Sequence, residues 1–165
     1  MSALAAFPVL IITLMLQLAI ISRLPLLHGT ADLMLLVLVA WALQERVRTA
    51  WFWTLLGGVM VTLVSGLPFY MPVFGYLIAT GVARLLRRQV WQTQLLAMFV
   101  TTFAATLIYH ALSLAVLQIA GRGLPISDSL TLVTLPSALI NLMLALPVYT
   151  LITDLAHWLY PAEIA

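Results

Sequence analysis

From Gln92 to Ala120 the chain holds no aspartate, glutamate, lysine or arginine. A helix over this run rises about 1.5 Å per residue and outgrows the roughly 30 Å hydrocarbon core of a bilayer, so it must tilt or project. The rest of the chain is of the same kind. Of 165 residues, 64% are hydrophobic and only 7% are charged, whereas a soluble domain carries about a quarter charged residues. No soluble fold of this length hides so much apolar surface. The expected fold is therefore all-α and integral to a membrane, with one transmembrane domain over residues 1–165. The pI is near 9.4, but seven arginines against five acids make no basic stripe, so nucleic acid is not an expected partner. Cysteine is absent, which removes disulfide and thiolate-metal chemistry.

Six spans can be laid along the chain. The first covers Ala3 to Ile21 and reads as a lasting span rather than a cleaved leader. Gln17 is its one strongly polar side chain at depth, a residue type that usually bonds a neighbouring helix. Ser22, Arg23, Pro25 and Gly29 mark a loop near His28. The second span, Leu33 to Leu43, is short, with Thr30 expected as N-cap, Asp32 in the first turn and Trp41 at the interface. Glu45, Arg46 and Arg48 form the next loop, with Trp51 and Trp53 as interfacial anchors. The third span runs to Ser65, and the fourth from about Pro72 to Leu86. The fifth is the long run described first. The last apolar stretch, Leu130 to Tyr160, is too long for one straight crossing, and Pro136 and Pro147 suggest bends or a displaced start.

Small residues form two stripes beside the turn at Gly66 to Tyr70. Thr54, Gly58, Thr62 and Gly66 recur every fourth residue before it, and Gly75, Ala79 and Ala83 after it. On helices such stripes let another backbone approach closely, from the protein's own core or from a partner. Arg84, Arg87 and Arg88 follow at helical spacing. They read as a cytoplasmic anchor, or as a site for anionic lipid heads or an acidic partner segment. The loops after spans two and four hold five of the seven arginines, which places both termini in the cytoplasm.

No catalytic, cofactor or metal constellation emerges. The three histidines fall in different segments. The acids Asp32, Glu45, Asp128, Asp154 and Glu163 fall near span ends or in loops, where solvent is expected to reach them. The deep polar residues are mild: Gln17, Thr62, Thr102, Thr106, His110, Ser137 and Asn141. That set suits helix contacts better than chemistry, although an ionisable residue such as His110 within a span is by default a functional candidate. A non-enzymatic protein is expected.

Several segments resemble one family in order and spacing. Ala31-Asp32-Leu33 followed by MLLVLVAWAL is similar to the second span of the bacterial rod shape-determining protein MreD. GGVMVTLVSG is similar to its glycine-rich third span, and GYLIATGVARLLRR to the span after. Asn141 ahead of Pro147 and Tyr149 resembles its late Asn-then-Pro pattern. The resemblance covers about Leu16 to Leu155. The chain departs from it at Thr62, where the family often has an acid, and at Leu67 to Tyr70, where it usually has a glycine. The resemblance implies an inner-membrane scaffold of the lateral cell-wall synthesis machinery, associated with the bitopic protein MreC. It implies six helices folded like the substrate-capture subunits of energy-coupling-factor vitamin transporters. Two alternatives stay open, a vitamin-capture subunit itself and an accessory subunit of another membrane complex.

Overall fold

The computed structural model describes residues 2–19, 29–89, 94–123 and 125–161. Ser22, Arg23, Pro25, His28 and Glu163 lie outside the described residues, as does the side chain of Arg88. The described residues form six helices and no strand-built sheet. They are α1 (Ser2–Ala19), α2 (Leu33–Leu43), α3 (Ala50–Thr62), α4 (Tyr70–Gln89), α5 (Gln94–Ile119) and α6 (Ile126–Leu159). By length and composition, α5 and α6 are each able to cross a membrane, while α1, α2 and α3 are shorter apolar helices.

The organising element is α2 rather than the α3–α4 hairpin. Its sequence, LMLLVLVAWAL, has no polar face to turn outward, and a helix apolar all round belongs in a core. Ten of its eleven residues are buried, and α1, α3, α4, α5 and α6 all pack on it. Burial corrects the expectation for Trp41. Its ring is fully buried and stacks on Trp53, centroids 4.1 Å apart, with Tyr160 at 6.3 Å. Trp53 is likewise buried, not interfacial, whereas Trp51 faces outward.

Polarity is arranged inside out. Thr54, Thr80, Thr101, Thr102, Thr106, Ser137 and Asn141 are all buried, while Leu4, Leu63, Met143 and Trp158 are 74–79% exposed. Large apolar side chains thus cover much of the outside.

The α3–α4 hairpin is close-packed over two of its turns. Thr54 and Thr80 share a 2.6 Å hydrogen bond between hydroxyls. A Cβ on Gly58 would sit 2.8 Å from the Val73 Cα, so backbone meets backbone there. Thr62 Oγ1 lies within donating distance of Gly58 O, at 2.8 Å, and Phe69 O, at 3.1 Å, tying the end of α3 to the approach of α4. The helix stops at Thr62, short of Ser65. Gly66 therefore leaves the stripe: it lies in the turn, exposed, with nothing near its Cβ position. On α4, Ala79 and Ala83 are buried. Gly75 does not face α3, because its Cβ position is filled by the Tyr109 ring of α5, 2.6 Å away.

α6 is continuous through both prolines. Its second segment, Ser129–Thr134, is π-helical, and Pro136 follows at once. Proline has no N–H for the carbonyl four residues back and crowds it, which favours a widened turn just before it. Thr134 Oγ1 donates to Ser129 O, five residues earlier, at 3.1 Å. Pro136 thus marks a change of helix type instead of a bend or a new start.

Gly58→Leu is expected to destabilise the fold by about 1–3 kcal/mol, the range for overpacking, and Gly66→Ala to leave it unchanged. Thermal unfolding of the purified variants in one detergent compares them; equal midpoints for Gly58→Leu and wild type would refute the Gly58–Val73 contact.

Candidate functional site

The first turn of any helix leaves N–H groups without intrahelical acceptors. For α2 that turn leads straight into the core, burial being complete from Met34 on, and side chains from elsewhere serve. Asp32, not Thr30, is the N-cap: its Oδ1 accepts from Leu35 N at 2.9 Å. Gln17 on α1 accepts from Met34 N through Oε1 at 3.0 Å. Asn141 on α6 accepts from Asp32 N through Oδ1 at 2.9 Å, and Ser137, one turn earlier, accepts from Thr30 N at 3.0 Å. Leu36 N returns to Asp32 O at 3.1 Å. Gly29 lets the incoming strand of chain lie flat on α6, since a Cβ there would meet Pro136 Cβ at 2.5 Å.

Among the described acids, the expectation that they face solvent fails for Asp32 alone, which lies half-buried at the centre of the network, while Glu45, Asp128 and Asp154 are exposed as expected. Tyr76 on α4 donates its hydroxyl to the Asp32 carboxylate, 2.9 Å from Oδ2 and 3.1 Å from Oδ1. The Tyr76 ring is stacked on Tyr109 of α5, centroids 5.1 Å apart and 14° between planes. That stack is the reason Gly75 is bare. Asn141 also donates from Nδ2 to Thr106 Oγ1 at 3.0 Å. The head of α2 is therefore tied to α1 through Gln17, to α4 through Tyr76, to α6 through Asn141, and to α5 through Thr106 and Tyr109.

The far end of α2 is held by basic side chains. Arg87 Nη1 donates to Gln44 O at 2.8 Å, and Arg84 Nη2 to Val47 O at 2.9 Å. Gln44 Nε2 donates to Thr153 Oγ1 on α6 at 2.9 Å, and Arg46 reaches Tyr160 O at 3.3 Å. Arg84 and Arg87 thus grip the loop after α2, a contact that no spacing rule announces.

Of the residues singled out in the sequence, Gln17 and Asn141 meet at the head of α2, and Arg84 and Arg87 at its foot. His110 joins neither group. It lies half-buried on α5, edge-on to Tyr109 at 6.3 Å. Asp32 and Tyr76 were not picked out as site residues. The signal available was Asp32 directly before an apolar run too short to span, a position where a capping acid goes into the interior with its helix. No cluster of three His, Asp or Glu side chains able to hold a metal occurs among the described residues. Compared with protein-family models, curated proteins and solved structures, the chain matches none.

Asp32→Ala is expected to lose about 2–5 kcal/mol, because Leu35 N and the Tyr76 hydroxyl are both left buried without an acceptor, and Tyr76→Phe about 1–2 kcal/mol. A double-mutant cycle by SDS-driven unfolding in mixed micelles measures the pair. Purely additive losses would mean the two side chains do not interact.

Proposed function

We propose that this chain is a six-span protein of the bacterial cytoplasmic membrane, with both termini in the cytoplasm. It serves as a non-enzymatic scaffold of lateral cell-wall synthesis, as MreD does, and associates with a bitopic MreC-like protein. The observation that carries the reading is the pairing of Asp32 with Asn141. The two residues come from segments that resemble that family at opposite ends of the chain, and here they bond to each other. A second support is the engagement of the polar side chains around the head of α2. The Asp32 oxygens, the Gln17 and Asn141 acceptors and the Ser137 hydroxyl are all engaged in holding α2. A scaffold needs a rigid bundle more than a reactive centre. The apolar exterior suits a lipid surround, and the buried head of α2 suits an interior that must satisfy its own backbone.

Affinity purification from native membranes, with crosslinking, is expected to recover an MreC-like bitopic protein, and depletion in a rod-shaped host to round the cells. Intact rods after depletion would count decisively against the reading, and tight retention of a small vitamin would favour the capture-subunit alternative. Because the chain has no cysteine, single substitutions report its orientation directly. Arg48→Cys is expected to react with a membrane-impermeant thiol reagent only from the cytoplasmic side, and Gly66→Cys only from the outer side. The reverse pattern would invert the topology.

A further inference from the structure

The π-helical turn of α6 lies over the last third of α5, and two adjoining cavities open beside it. One, of about 430 Å³, is almost wholly apolar, with Leu107, Ala111 and Leu130 in its wall. The other, of about 230 Å³, carries His110, Ser113, Ser129 and Arg122. They share His110, Leu114 and Thr134. Arg122 is placed there by the end of α5: Gly121, at φ +68°, adopts the left-handed turn, and Arg122 N returns to Leu117 O at 2.9 Å. That is the glycine stop that reverses a helix end.

We infer that these joined cavities bind one anionic phospholipid, its phosphate beside Arg122 and an acyl chain along the apolar cavity. Three observations fix the occupant. Neither the Arg122 guanidinium nor the His110 imidazole has a hydrogen-bond partner among the described residues. No acidic side chain lines either cavity; Asp128, the nearest acid in the chain, bonds Ser127 instead. The polarity also runs along α5 as a lipid's does: the cation lies just past the helix end at Ile119, and the apolar wall reaches down to Leu107, about 18 Å along the helix at 1.5 Å per residue. A cationic head site over an apolar slot selects a molecule with a negative head and a hydrocarbon tail. The inference rests on the chain's being embedded in a bilayer, but not on any scaffold role.

The test uses the full chain in nanodiscs of equal phosphatidylglycerol and phosphatidylcholine, with native mass spectrometry counting the lipids that remain bound after release. Failure to enter nanodiscs would reject the membrane reading itself, separately from the lipid site. Once embedded, wild type is expected to retain phosphatidylglycerol over phosphatidylcholine. Arg122→Ala is expected to lower that preference roughly fivefold, the factor matching about 1 kcal/mol for one basic residue at a lipid surface. Arg48→Ala, at another exposed arginine, is expected to leave it unchanged. Ala111→Trp, which fills the apolar slot, is expected to lose the retained lipid altogether. An unchanged preference in Arg122→Ala, an equal fall in Arg48→Ala, or full retention by Ala111→Trp would each overturn the site.

Discussion

The constraint on which this structure depends is a helix that starts against the core of the bundle. α2 begins inside the bundle, where each unsatisfied backbone N–H costs several kcal/mol in an apolar surround. A helix cannot supply those acceptors from its own backbone. The chain supplies them from two distant helices, Gln17 of α1 and Ser137 and Asn141 of α6, and from the Asp32 cap itself. Each bond that solves the local problem also fixes a neighbour. The fold is held together by the same atoms that allow its central helix to begin.

The two ends of α2 solve the same problem with opposite chemistry. The head presents donors and is met by oxygens; the foot presents carbonyls and is met by Arg84, Arg87 and the Gln44 amide, the last on Ala40 O. This follows the helix dipole, which favours negative charge at the N-terminus and positive at the C-terminus. Between them, the Trp41–Trp53 stack fills the space where α2 meets α3, an aromatic pairing worth about 0.5–1.5 kcal/mol beyond its burial. An eleven-residue helix is thereby pinned at both ends and along its side.

Much of this was legible in the sequence, but unevenly. Apolar runs and prolines placed the helices to within a few residues, since hydrophobic continuity is a local property. Gly58 and Thr62 also announced themselves, because close helix approach leaves a periodic trace. Gln17 and Asn141 stood out as polar side chains in apolar runs, though not as partners of one helix start. What stayed hidden depended on which helix would be central. Asp32 near the end of a span looks solvent-accessible until α2 is known to start inside the bundle, and Trp41 looks interfacial for the same reason. The π-helical turn before Pro136 was equally silent, since a bend, a break and a widened turn all satisfy a proline.

An aspartate is the residue type that best fits the head of α2. Its carboxylate offers two acceptors and no donor, and the site presents two donors, Leu35 N and the Tyr76 hydroxyl. Asparagine would turn an N–H₂ toward Tyr76 and force its hydroxyl to accept rather than donate, while serine would cap the helix but not reach α4. An acid set inside a membrane-spanning bundle ordinarily marks an ion or proton path, and the proposed function raises that question for Asp32. Here its oxygens are already committed to capping and to Tyr76, and Tyr76 is in turn held by its stack on Tyr109, for which Gly75 makes room. The bare position at Gly75, which looks like a seam for another helix, exists so that a ring can hold a hydroxyl against a helix cap.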